Sequence, residues 1–212
     1  MEDMVHRWFP LVAPLLVVFA APAAAEPLLP PEPTDGPYFE LSAGYLALSD
    51  VEGDVNGIDV KGKYDPGFAV GGQLGYKYNV FRAALEFEYA RAGFDSIRAL
   101  GMNFDVDGNF NIYRGTASLY YDFDNASRFT PYFGGGLGAA YVDVEDTTVA
   151  GVTLDGGSDT YFTAHGEAGL AVAATDQIAI VPAYRFIWLD DGQDGFDDDT
   201  AHLFKMGLRF RF

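Results

Sequence analysis

The last ten residues of the chain, LFKMGLRFRF, constrain its fold more than any other segment. Apolar side chains alternate with charged or small ones as far as the final residue, and a period of two is the period of a β-strand. Such a strand needs apolar surroundings along one entire face and polar surroundings along the other. The apolar face carries Phe204, Met206, Leu208, Phe210 and Phe212, and the opposite face carries Lys205, Gly207, Arg209 and Arg211.

Seven earlier runs alternate in the same way, so the sequence predicts eight β-strands. Most of the runs are about 11 to 15 residues long, longer than a typical soluble strand and long enough to cross a bilayer at a tilt. The i, i+3, i+4 apolar spacing of a long helix is not found after the N-terminal region. The runs span residues 38–48, 68–78, 81–91, 109–123, 131–142, 160–174, 177–189 and 203–212.

The breaks between these runs alternate in length. Asn79-Val80, Thr175-Asp176 and residues 124–130 are short, whereas 49–67, 92–108, 143–159 and 190–200 are long and polar. Short turns on one side and long loops on the other are typical of outer-membrane barrels, which have their short turns in the periplasm. A sheet in hydrocarbon must pair all its backbone groups, so the last strand is expected to pair with the first. The predicted fold class is therefore all-β: an eight-stranded, antiparallel, up-and-down transmembrane β-barrel.

The N-terminal region predicts export from the cytoplasm. An apolar stretch follows Arg7 and ends in small residues, with Ala23 and Ala25 in an A-x-A arrangement. This pattern indicates a cleavable signal peptide over residues 1–25; the alternative is a membrane anchor. Residues 26–35 form a Pro-rich lead-in, and 36–212 form the barrel domain. The net charge of -18 argues against a nucleic-acid partner, which requires a basic surface.

Four segments carry a resemblance to a known family: YYDF at 120–123, TPYFGGGLGAA at 130–140, ATDQIAIVPAYRF at 174–186 and the terminal GLRFRF. In this order the chain resembles the OmpA-like, opacity-type eight-stranded outer-membrane barrels. The resemblance implies that Leu208, Phe210 and Phe212 form the signal for the outer-membrane assembly machinery. It also implies a monomer in the cell outer membrane, with lipid and lipopolysaccharide as its surroundings and its functions in the surface loops.

The polar faces of the strands place nine ionisable side chains inside the predicted barrel. An eight-stranded barrel is just wide enough for side chains to fill, so these groups are expected to form a paired plug. We expect Arg114 or Arg185 to pair with Glu86 or Glu88; a narrow ion path is the alternative. The nine residues are Arg82, Glu86, Glu88, Arg114, His165, Glu167, Arg185, Lys205 and Arg209.

No catalytic centre is predicted. His165 and Glu167 share a face, but such a pair is more often a structural hydrogen bond than an acid–base or metal site. Ser118 and Ser158 have no evident histidine partner, and His202 lies on the apolar face of the last strand.

The last long break is strongly acidic and contains no basic residue. Its spacing does not match an EF-hand, because Gly192 and Ala201 stand where ligands are required. No cofactor is expected, but repulsion among the carboxylates favours weakly bound Ca²⁺ or Mg²⁺; a solvated acidic loop is the alternative. The candidate ligands are Asp190, Asp191, Asp194, Asp197, Asp198 and Asp199.

Taken together, these features predict an outer-membrane barrel with a structural or surface role: envelope integrity, adhesion or host contact through acidic loops. A small passive pore is the alternative, and a lipid-modifying enzyme is the least favoured. The composition of the loops does not identify an extracellular or host ligand.

Overall fold

A computed structural model describes residues 35–49, 51–55, 58–99, 102–149, 152–190 and 199–212. The predicted signal peptide (1–25) and all of the Pro-rich lead-in except Asp35 lie outside the described residues. The described part of the chain contains no helix that is long and apolar enough to span a membrane. Its strands, in chain order, are β1 (Gly36–Leu48), β2 (Val51–Val55), β3 (Ile58–Tyr78), β4 (Phe81–Ala99), β5 (Met102–Asp107), β6 (Asn109–Asp122), β7 (Phe129–Val144), β8 (Thr147–Val149), β9 (Val152–Leu154), β10 (Gly157–Ala173), β11 (Ile178–Asp190) and β12 (Asp199–Arg211).

Eight long strands close into an antiparallel barrel, which confirms the predicted fold class. Around the barrel the order is β1, β3, β4, β6, β7, β10, β11 and β12. The last strand pairs with the first from Tyr38↔Arg211 to Leu48↔Ala201. This pairing removes the two open edges that a sheet cannot keep in hydrocarbon.

Three short turns connect strands at one end of the barrel. Asn79 begins the β3–β4 turn with a φ of 55°, a left-handed conformation that asparagine tolerates. In the β6–β7 turn, the Asn125 side-chain amide donates to the backbone oxygens of Phe123 and Phe129. The Thr175 hydroxyl accepts from the Ile178 amide in the β10–β11 turn. By the rule for bacterial barrels, this end faces the periplasm.

At the opposite end, the structure corrects the interpretation of three long breaks as loops. β3 runs for 21 residues and β4 for 19, well beyond the 13 residues of β1. β2 pairs with β3, β5 with β4, and β8 with both β5 and β9. In VEGDV and MNFDVD apolar and polar residues do alternate, but over only five and six residues, so these strands are shorter than the runs of bilayer-crossing length from which the barrel was predicted.

The outer surface of the barrel is an apolar band between two aromatic girdles. On the periplasmic side, Tyr121 contacts Phe81 and Phe133, with ring centroids 5.6 and 5.8 Å apart. On the other side, Tyr113 contacts Tyr89 and Tyr141 at 5.2 and 6.3 Å. Phe81 and Tyr89 lie eight residues apart on β4, which spans about 20 Å along the bilayer normal at the usual tilt. This height is close to the apolar band of about 25 Å that is typical of outer-membrane barrels.

Candidate functional site: a layered barrel interior

The inward-facing side chains form three layers between the periplasmic and outer ends. The lower layer, nearest the periplasm, combines arginines with tyrosines; the middle layer is a network of ion pairs; the upper layer is apolar. The structure buries all nine ionisable residues singled out from the sequence, each at 9% exposure or less. Six of them form the middle layer, His165 contacts Ser118, and Arg82 and Arg209 belong to the lower layer.

Arg185 is the centre of the middle layer. It is 1% exposed, and its guanidinium contacts three carboxylates: Glu86 and Glu167 at 2.5 Å and Glu88 at 3.4 Å. Lys205 adds a second cation, 2.9 Å from Glu167. Four strands supply these five side chains, so the network ties together β4, β10, β11 and β12 across the lumen.

The remaining predicted charges pair around this centre. Arg114 contacts Glu88 at 2.6 Å, so Arg114 and Arg185 bind Glu88 and Glu86 respectively. Arg209 contacts Glu40 at 2.9 Å, across the β1–β12 closure. Such pairing offsets the large cost of removing charges from water, provided that the hydrogen bonds are well made.

Tyrosine rings and guanidinium groups alternate in the lower layer. The Arg82 guanidinium lies 4.7 Å from the ring centroids of both Tyr120 and Tyr132, and its Nε donates to Asp122 at 2.8 Å. Arg209 lies 5.5 Å from the Tyr132 ring. Planar guanidinium groups stack on aromatic faces while they bind carboxylates, which a lysine cannot reproduce.

Sequence reasoning missed several members of these layers. The tyrosines also link the layers, because the Tyr120 hydroxyl donates to Glu86 and the Tyr132 hydroxyl donates to Glu167 at 2.8 Å. A signal was present, since each missed residue lies opposite apolar, outward-facing neighbours in its own run. The missed residues are Tyr38, Glu40, Tyr120, Asp122 and Tyr132.

The prediction that Ser118 has no histidine partner is wrong. Ser118 Oγ lies 3.4 Å from His165 Nε2 inside the barrel. The two residues are on β6 and β10, on either side of Gly136 in β7, and a Cβ at Gly136 would lie 2.2 Å from Ser118 Oγ. The glycine therefore makes this contact possible. His165 Nδ1 has no hydrogen-bond partner among the described residues, so the pair lacks the third group that orients a catalytic histidine.

The histidine on the outer face of β12 has a different partner. His202 Nδ1 lies 2.7 Å from the Tyr184 hydroxyl, and the two rings stack with centroids 6.0 Å apart. Both side chains lie at the upper aromatic girdle, where amphipathic rings bridge hydrocarbon and headgroups.

The proposed assembly-signal residues lie on the outer face at the periplasmic end of β12. Leu208 is 46% exposed and Phe212 is 78% exposed, and the Phe210 ring stacks on Phe39 at 6.5 Å. The role of these residues in assembly stays a prediction. Of the candidate Ca²⁺ or Mg²⁺ ligands, Asp191, Asp194, Asp197 and Asp198 lie outside the described residues, and Asp190 and Asp199 end β11 and begin β12.

A closed eight-stranded barrel with an apolar outer band, aromatic girdles and a polar interior defines the class of integral outer-membrane β-barrel proteins. The family model described as "Outer membrane protein beta-barrel domain" matches residues 11–212. The chain belongs to this family, which confirms the resemblance inferred from the motifs and places the protein in the cell outer membrane.

Two individual proteins are similar to this chain in sequence. The outer membrane protein PagN of Salmonella typhimurium is 30% identical over 112 residues, which cover 44% of this chain and 46% of PagN. An uncharacterized protein of Brucella suis is 25% identical over 91% of this chain and 85% of its own length.

Two crystal structures share the fold. OprG from Pseudomonas aeruginosa matches with a TM-score of 0.57 and 15% identity, over 84% of this chain and 98% of OprG. Neisserial surface protein A (NspA) matches with a TM-score of 0.52 and 21% identity, over 82% of this chain and 97% of NspA.

Proposed function

We propose that this outer-membrane barrel is a non-conducting scaffold with a structural and surface role, in which acidic β-hairpins contact partners outside the cell. The observation that carries the proposal is that the extracellular segments form paired strands that extend the barrel. Envelope integrity, adhesion and host contact all belong to this role. A barrel that serves mainly as a scaffold needs no catalytic centre, and we propose that the protein is not an enzyme.

The hairpins form one connected β-structure outside the membrane. The β3–β4 pairing continues outward from Phe68↔Arg91 to Val60↔Ala99 with two register shifts, which is about 27 Å of chain if the strand is fully extended. β5 then pairs with β8 through Val106↔Val149 and Asp107↔Thr148, which links the β4–β5 hairpin to the β8–β9 hairpin. Backbone pairing gives this surface a defined shape, as a recognition surface requires.

The charge of the outer rim favours cationic partners. Asp146, Asp155 and Asp159 are exposed there, whereas Arg91 is paired with Glu145 at 3.2 Å. Such a rim attracts positively charged surfaces and disfavours polyanions. Divalent ions that bridge lipopolysaccharide to these carboxylates would fit the same chemistry.

The interior supports the absence of conduction. In the described part of the chain, the lumen contains a cavity of about 220 Å³ in the upper layer and one of about 10 Å³ in the lower layer. They share no lining residue, and Arg185, Glu86 and Glu167 line neither of them. The middle layer thus separates the two, and a passive pore would have to displace its ion pairs.

A trimmed barrel tests the surface role. Residues 49–64, 94–108 and 145–156 can each be replaced by a two-residue turn, because Leu48 would then face Asp65 in register, Gly93 pairs with Asn109 and Val144 pairs with Gly157. Cells that carry the trimmed barrel are compared with cells that carry the intact one. Insertion is checked by heat-modifiable mobility in gels.

We expect the trimmed barrel to insert but to lose adhesion to polycation-coated and epithelial surfaces. A control barrel with a substituted periplasmic turn, residues 124–128, should retain adhesion. Equal adhesion and equal detergent resistance with the trimmed and intact barrels would contradict a role for the hairpins.

A further inference from the structure

The upper layer contains a cavity that the proposed surface role does not use. Its volume is about 220 Å³, and it lies at the outer end of the lumen, lined by residues from all eight barrel strands and partly open to the outside. An engineered apolar cavity of about 150 Å³ binds benzene in another protein, so this space suits a molecule of roughly nine non-hydrogen atoms. It is large enough for a small ligand and too small for a lipid chain of full length.

The walls of the cavity are apolar although the lumen of an outer-membrane barrel is usually polar. Leu46, Ala90, Ile112, Ile187, Leu189 and Ala201 line it. Most of them belong to a buried hydrophobic cluster in which Leu46 is 2% and Ala201 is 4% exposed. A cavity with such walls does not hold water well, whereas an apolar ligand gains contacts there.

One residue that lines the cavity has an unused hydrogen-bond donor. Arg114 and Glu88 are the charged lining residues of the cavity, and Arg114 Nη2 donates to Glu88 Oε1 at 2.6 Å. Arg114 is 3% exposed, and its Nη1 atom has no partner among the described residues. A buried donor without an acceptor is costly, so an acceptor on a bound molecule would stabilise the site.

The charges around Arg114 favour a neutral ligand. Arg114, Arg185 and Lys205 are matched by Glu86, Glu88 and Glu167 in the same network. An additional carboxylate would unbalance this buried set, and it would first have to cross the acidic rim. A neutral carbonyl, ether or hydroxyl oxygen can accept from Arg114 without either penalty.

We propose that the upper layer is a binding site for small neutral molecules that have an apolar body and a single hydrogen-bond acceptor, with the apolar body among Leu46, Ile112 and Ile187 and the acceptor on the Arg114 guanidinium. This proposal depends on the lining of the cavity and is independent of the surface role proposed for the hairpins.

Methyl NMR of the barrel in phospholipid nanodiscs tests the site directly. The Ile112 and Ile187 methyl groups line the cavity, whereas Ile180 is 42% exposed on the lipid-facing surface. The probes are acetophenone, ethylbenzene, which lacks an acceptor, and benzoate, which is an anion. We expect acetophenone to shift the Ile112 and Ile187 signals saturably and to leave the Ile180 signal unchanged. Ethylbenzene should bind at least roughly tenfold more weakly than acetophenone.

Matched variants separate the cavity from the bilayer. Ala90→Leu fills the cavity and should abolish the saturable shifts. Ala83→Leu adds the same volume to an exposed position of β4 and should leave them unchanged. Arg114→Met should bring acetophenone down to the affinity of ethylbenzene, with folding of each variant verified from its spectrum.

Three results would overturn the proposal. Non-saturable shifts that include Ile180 would show partition into lipid only. Equal affinities for acetophenone and ethylbenzene would remove the role of Arg114. Preferential binding of benzoate would show that the site selects anions.

Discussion

Removal of Arg185 is expected to destabilise the barrel more than removal of any one of its carboxylate partners. In an Arg185→Met variant, Glu88 keeps Arg114 at 2.6 Å and Glu167 keeps Lys205 at 2.9 Å. Glu86 loses the cation that it binds at 2.5 Å and keeps the hydrogen bond from the Tyr120 hydroxyl. One uncompensated buried carboxylate corresponds to a loss of about 3–5 kcal/mol in the free energy of unfolding.

The partner variant should cost less. Glu86→Gln leaves Arg185 with Glu167 and Glu88, and the amide oxygen still accepts a hydrogen bond. We expect a loss of about 1.5–3 kcal/mol, the range for a hydrogen bond to a charged group. The double variant Arg185→Met with Glu86→Gln should be more stable than Arg185→Met alone, because the unpaired charge is gone.

Urea unfolding of the barrel in phospholipid vesicles, followed by the fluorescence of Trp188, measures these differences. Arg128→Met is the matched control, because Arg128 is exposed in the β6–β7 turn and should change stability by about 0.5 kcal/mol or less. A loss below about 1 kcal/mol for Arg185→Met would refute the reasoning. So would a double variant that is no more stable than the single one.

Three further variants test other parts of the account. Gly136→Ala should lose about 1–3 kcal/mol in urea unfolding, because its Cβ would meet Ser118 Oγ, whereas Gly166→Ala, whose Cβ has open space, should be nearly neutral; equal losses would contradict the close packing at Gly136. Arg82→Lys should lose about 1–2 kcal/mol in the same assay, because lysine cannot stack on the tyrosines and bind Asp122 together; an unchanged barrel would contradict that account. Deletion of Phe212 should reduce the folded fraction in cells but not spontaneous refolding in vesicles, measured by heat-modifiable mobility; normal assembly in cells would contradict the assembly signal.

Much of the fold was predictable because alternation assigns each side chain to one face of a strand. The lipid-facing aromatic residues and the inward arginines follow from that assignment alone. Alternation does not predict the level of each residue in the barrel, which depends on strand register. Ser118 and His165 therefore could not be recognised as neighbours, because two strand pairings through Gly136 set their distance. The contacts of Arg82 with Tyr120 and Asp122 likewise depend on strand register and could not be predicted from alternation.

The strands of the extracellular hairpins were not predicted from the sequence, for a different reason. β2 (VEGDV) and β5 (MNFDVD) do alternate apolar and polar residues, but only over five and six residues, and β8 and β9 have three residues each. Runs this short cannot cross a bilayer, so a search for membrane-spanning alternation assigns them to the loops. The upper apolar layer could not be predicted from alternation either. Leu46 and Ile187 face inward within runs whose outward residues are also apolar, so the two faces do not differ in polarity there.

Single-channel recording of the refolded barrel in a planar bilayer tests the central claim, a lumen closed by the middle layer. We expect a silent, correctly inserted barrel, with and without millimolar calcium. The charge-neutral double variant Arg185→Ala with Glu167→Ala removes two of the side chains that separate the cavities, and it should show discrete steps. Discrete conductance steps from the unaltered barrel would contradict the claim.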